Sequence, residues 1–198
     1  MTTIMSRLRR TVLLTGAALT LPTTALAPQT MAAAVQVDCF GNPITAQTLF
    51  VPAGGAMFFG TSGADQIIGT GGADNIDADD GDDTVCGGAG ADDIEGENGD
   101  DIINGEGGED DLWGDDGNDK VYGGAGDDVT MWGGEGNDAL YGGGGDDTLK
   151  GNEDDDHLFG EDGSDAMECF TGVDTADGGP GRDSLYDPAD CETVISAQ

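Results

Sequence analysis

Aspartates recur at Asp65, Asp74, Asp83, Asp92, Asp101, Asp110, Asp119 and Asp128, each nine residues after the last. After one ten-residue step they continue at Asp138, Asp147, Asp156, Asp165, Asp174 and Asp183. Two residues before each stands a glycine (Gly63, Gly72, Gly81, Gly90, Gly99, Gly108, Gly117, Gly126, Gly136, Gly145, Gly163, Gly172, Gly181), with Asp154 the one exception. A carboxylate is a hard oxygen ligand, and a glycine lets backbone carbonyls approach a shared point with no side chain in the way. The pair is therefore suited to holding hard cations. It is not suited to covalent chemistry: neither H-E-x-x-H nor G-x-S-x-G occurs, and His157 is the single histidine.

The elements that position these aspartates follow from a second period. Two residues after the aspartates come Ile67, Ile76, Val85, Ile94, Ile103, Leu112, Val121, Leu140, Leu149, Leu158, Met167, a small Ala176 and Leu185. Each nonapeptide thus reads as a six-residue turn and a three-residue strand whose middle side chain points inward. One inward residue cannot make a core, but stacked strands put such residues in columns, and two facing columns make a thin one. Two nonapeptides complete one coil. Residues eighteen apart then lie above one another at strand spacing, so carboxylates such as Asp74 and Asp92 converge between glycine turns. Irregular turns offering many oxygens suit calcium better than magnesium, which demands an octahedron. The ten-residue step at Thr130 predicts a one-residue bulge that leaves the array intact.

Charge sharpens the argument. The chain has 198 residues, 37 glycines and a formal charge of -35. Beyond the basic N-terminus three cations face 41 acids, which leaves -38. Such a chain repels itself unless a cation intervenes, and it is a poor partner for nucleic acid or anionic membranes.

The pattern G-G-x-G-x-D-x-U-x, with U a large apolar residue, is met fully by GGAGADDIE (87–95) and GGPGRDSLY (178–186). Over residues 60–186 the chain resembles the RTX, or haemolysin-type calcium-binding, repeat family. The lead-in CFGNP (39–43) is similar to that of its small, secreted, cysteine-containing members. The resemblance implies an all-β fold, a right-handed parallel β-roll of about fourteen nonapeptides with two per coil and short terminal caps. It implies calcium held by the sixth-position aspartates, Asp65 through Asp183. Turn carbonyls of Gly72, Gly90, Gly99, Gly108, Gly117, Gly126, Gly136 and Gly145 would assist. One ion in each gap between stacked turns gives up to about a dozen.

The chain ends carry the remaining expectations. Residues 1–34, with a basic start, an apolar run from Val12 to Leu21 and small residues after it, read as a secretory leader cleaved after Ala27 or, preferably, Ala34. The division expected is a leader at 1–34, a cap at 35–59, repeats at 60–186 and a tail cap at 187–198. The mature chain is then extracellular, where its four cysteines oxidise. Three pairings are open on paper. With the roll in place, Cys39–Cys86 and Cys169–Cys191 each pin a terminal cap.

Ninth-position aromatics form outward rows, Tyr122, Tyr141 and Phe159 on one sheet and Trp113 and Trp132 on the other. These rows are either structural ladders or a docking strip for a sugar, a protein or a second copy. The functional expectation is a secreted, non-enzymatic calcium-binding repeat protein, with an adhesin or matrix module as the alternative and an accessory of an exported enzyme as a third reading.

Overall fold

The computed structural model describes residues 37–45, 48–53, 57–186 and 191–197. The expected leader and both cleavage positions lie outside the described residues. One sheet has nine parallel strands in the order β1 (Thr48–Phe50), β3 (Gln66–Ile68), β5 (Thr84–Ala89), β7 (Ile102–Gly107), β9 (Lys120–Ala125), β11 (Ala139–Gly144), β13 (His157–Asp162), β15 (Asp174–Pro180) and β17 (Cys191–Ala197). The facing sheet has eight: β2 (Met57–Phe59), β4 (Asn75–Asp77), β6 (Asp93–Glu95), β8 (Asp111–Asp116), β10 (Thr130–Glu135), β12 (Thr148–Glu153), β14 (Ala166–Thr171) and β16 (Ser184–Tyr186). Alternate strands belong to alternate sheets, so the chain is an all-β parallel roll, as the period requires, and no helix occurs among the described residues.

Registers follow the repeat. Val85 pairs with Ile103, Ile103 with Val121, and Leu140 with Leu158. The inward residues from Ile67 to Leu158 are all 0–1% exposed. Each buried aliphatic side chain contributes about 1.5–3 kcal/mol. The roll also continues past the aspartate frame: β1, β2 and β17 lie in the segments expected as caps and add strands to the stack.

Two features differ from the sequence expectation. Nine strands from β5 to β14 run for six residues instead of three. Pairing resumes at the second and third positions of the next repeat, as in Gly88 with Glu106 and Ala89 with Gly107. The first-position glycine bends the chain, and the ladder then continues round the corner. The six-residue "turn" is therefore partly strand.

The extra residue is Val129 and not Thr130. Thr130 stays in register with Asp111 and Met131 with Leu112, while Val129 is 57% exposed and its N–H takes the Asp110 carbonyl at 3.1 Å. Deleting Val129 is expected to leave the folded roll intact, with a change in stability within about 0.5 kcal/mol. Denaturant unfolding in calcium checks this, and loss of the strand signal would give Val129 a role beyond a bulge.

Candidate metal sites

The sixth-position aspartates line both corners of the roll and are buried, with Asp83, Asp92, Asp101, Asp110, Asp119, Asp128, Asp138, Asp147, Asp156 and Asp165 between 0 and 2% exposed. One oxygen of each is bound by the coil before it. The Asp74 N–H donates to Asp92 Oδ1 at 2.8 Å, Asp83 N–H to Asp101 Oδ1 at 2.7 Å, and Asp119 N–H to Asp138 Oδ1 at 2.8 Å across the bulge. The Oδ2 atoms of these ten residues and of Asp183 are buried without a hydrogen-bond partner. A buried carboxylate oxygen left so costs several kcal/mol unless a proton or a cation meets it.

With the exception of Asp83, whose repeat opens on Ala78, each of these orphan oxygens faces the first-position glycine of its own repeat. A Cβ placed on Gly87 would lie 2.6 Å from Asp92 Oδ2 and 3.0 Å from the Gly105 carbonyl. At Gly96 it would meet Asp101 Oδ2 at 2.6 Å and the Gly114 carbonyl at 2.7 Å. Carboxylate and first-position carbonyl of the next coil thus converge over bare Cα atoms. From Asp92 to Asp165 nine successive ladder residues set an orphan oxygen over a bare Cα, at Gly87, Gly96, Gly105, Gly114, Gly123, Gly133, Gly142, Gly151 and Gly160, and at all of these but Gly151 the facing carbonyl is among the nearest atoms. Orphan oxygens, carbonyls and an open volume fit a hard cation, which would supply the positive charge that the cradle lacks.

The fourth-position glycines named from the sequence lie where successive coils touch. Gly90 and Gly126 adopt φ of 139° and 143°, and a Cβ on Gly90 would lie 2.6 Å from the Gly72 carbonyl carbon. They let coils approach, and their carbonyls press on the next fourth-position Cα. The first-position glycines were missed, although the doubled glycine of the repeat was the available signal.

Burial raises the ladder carboxylates from Asp83 to Asp165 above their ordinary 3.8. Asp92 and Asp119 are pushed up to about 6, Asp101 and Asp128 to about 7 and Asp138 to about 8, with neighbouring acids adding to most of these shifts. Because the folded values lie above the unfolded ones, this contribution to metal-free stability is fully present below about pH 4 and is lost as pH rises through 6 to 8. The chelated protein is expected to show more strand signal at pH 5 than at pH 8, and calcium uptake near pH 7 to release protons. Circular dichroism and a pH-stat measure the two, and strand signal that rises with pH in chelator would refute the sign.

Outside the ladder, carboxylate oxygens of Asp77, Glu95 and Glu97 gather within 4.8 Å on the eight-stranded sheet. The structure contains the disulfides Cys39–Cys86 and Cys169–Cys191, with Cα separations of 5.9 and 5.7 Å. Cys86 is a ninth-position residue, so the N-terminal arm lies along a sheet face instead of over the open end. Asp38 fastens it, accepting from the N–H groups of Phe40 at 2.9 Å and Asn42 at 2.7 Å and from Gln66 Nε2 at 2.6 Å. Phe40 then meets Tyr122 at 5.7 Å, and Tyr122–Tyr141 and Tyr141–Phe159 stack at 4.8 and 4.9 Å. On the other sheet Trp113 pairs in register with Trp132, and Lys150 Nζ lies 5.2 Å from the Trp132 ring centre.

A parallel roll with stacked carboxylate corners defines the class of calcium-binding nonapeptide solenoids. The profile of the RTX calcium-binding nonapeptide repeat matches four stretches, residues 59–94, 95–129, 132–167 and 170–187, more than half of the chain. The chain belongs to that family and is a calcium-binding repeat protein. No curated protein matches it.

Proposed function

We propose that this is an exported protein in which calcium between stacked turns drives folding of the acidic chain into a rigid roll, with the ions structural and the chain non-catalytic. The observation that carries the reading is the row of buried, unpartnered Oδ2 atoms at the corners. A chain of charge -35 has no reason to bury them unless a cation takes the place of water. Export is supported by the leader-like N-terminus and by two disulfides, which persist in oxidising compartments. Among the described residues no helix is long and apolar enough to cross a membrane.

The aromatic rows are read as structural ladders. Tyr122, Tyr141 and Phe159 spend their ring faces on one another, and Phe40 covers the near end. Such pairs contribute about 0.5–1.5 kcal/mol each beyond burial. The test is a calcium titration in which bound ions and strand signal are followed together. The two curves are expected to rise over one concentration range, with magnesium inert. Ion uptake by an already formed roll would overturn calcium-driven folding.

A further inference from the structure

Resting on the calcium-binding reading, we propose that calcium occupies only the central run of the ladder, from the Asp92 cradle to the Asp165 cradle. At both ends this chain's own side chains stand where the ion would. The first two corners are closed by threonine. Thr61 donates to Asp65 Oδ2 from its N–H at 2.7 Å and its hydroxyl at 2.8 Å. Thr70 donates to Asp74 Oδ2 in the same way, at 2.6 and 3.0 Å. These two carboxylates already have hydrogen-bond donors where the central ones have none.

At the third corner the obstacle is a methyl group. Five residues before Asp83, where Gly87 stands before Asp92, the chain has Ala78, fully buried in the core. Its Cβ occupies the volume that first-position glycines leave open, and in that volume a Cβ comes within 2.6 Å of a ladder oxygen and of a facing carbonyl within 3.0 Å. An ion and a methyl group cannot share it.

At the far end the same position belongs to Cys169, five residues before Asp174. Cys169 is 0% exposed and bonded to Cys191 of β17. The cysteine therefore fills the first-position volume before Asp174, and its disulfide ties β14 covalently to β17, where elsewhere an ion would cross-link by coordination. Asp183 ends the series because β16 is the edge of its sheet, and among the described residues no further ladder aspartate stands over it as Asp183 stands over Asp165. Three different chemistries thus bound the calcium run.

The experiment is a count of tightly held calcium by native mass spectrometry, after titration in excess magnesium so that outward carboxylates do not contribute. The parent is expected to hold nine ions, Gly87→Ala eight, Ala78→Gly ten, and the double variant Cys169→Gly, Cys191→Ser ten. The double variant Cys39→Ser, Cys86→Ser, whose disulfide lies on the sheet face, is expected to stay at nine. Circular dichroism in calcium confirms that each variant is folded. If Ala78→Gly or the Cys169 variant is unstable, the loss of one ion in Gly87→Ala still tests the cradle. A parent that holds twelve ions, or variants that all match the parent, would overturn the assignment while leaving calcium binding in place. A parent that holds none would overturn the calcium-driven reading itself.

Discussion

Transfer of the folded protein at pH 7.5 from millimolar calcium into excess chelator is expected to abolish most of its strand signal. Each site occupied at tenfold excess over its Kd stabilises the fold by about 1.4 kcal/mol, so half a dozen contribute about 8 kcal/mol. That is comparable with the whole stability of an ordinary domain, about 5–15 kcal/mol. The core has little to offset it, because most strands insert a single large inward side chain and the described residues form one ion pair, Lys150 with Glu168 at 3.8 Å. The buried carboxylates then ionise without partners, and neighbouring charges such as that of Asp119 beside Asp101 raise the cost further. Both disulfides survive chelation, so the arm and the tail remain tethered and strands are expected to return when calcium is restored. Far-ultraviolet circular dichroism measures the loss, and an unchanged spectrum in chelator at pH 7.5 would remove calcium from the folding account.

Replacing Gly126 with alanine should be the most damaging single methyl addition in the middle of the roll. Gly126 has φ of 143°, and the new Cβ would run into the Gly108 carbonyl, with the carbonyl carbon 2.6 Å away. The strained backbone alone costs about 1–3 kcal/mol. The clash is with the main chain of the coil before, so no side chain can swing aside and two coils must part. A total loss above about 4 kcal/mol is expected, which lowers the urea midpoint in saturating calcium by roughly 2 M. Gly144→Ala is the control: a Cβ there meets nothing within 4 Å, and the effect should stay within about 0.5 kcal/mol. Equal midpoints for the two variants would show that coil spacing is not set by the fourth-position glycines.

Much of this was legible without coordinates, because a solenoid turns sequence distance into spatial adjacency. A frame of nine residues, two to a coil, determined that Ile76 lies over Ile94, that Tyr122 lies under Tyr141, and that the aspartates form two stacked corners. The same periodicity assigned the strands within the aspartate frame to their sheets, but not β1, β2 and β17 beyond it. What it could not contain is anything that breaks the period or depends on the reach of individual atoms. Val129 is the looped-out residue because Thr130 is the one whose strand pairing fits, a choice made between coils. Phe40 meets Tyr122 because a disulfide and the Asp38 hydrogen bonds steer a non-repeating arm across the sheet. Above all, the period says that carboxylates and glycines stack, but not which oxygen goes where. Hydrogen bonding to the preceding coil takes Oδ1 and leaves Oδ2 facing a first-position Cα. Only that tertiary contact makes Gly87 part of a cradle and Ala78 and Cys169, at the same place in the repeat, its plugs.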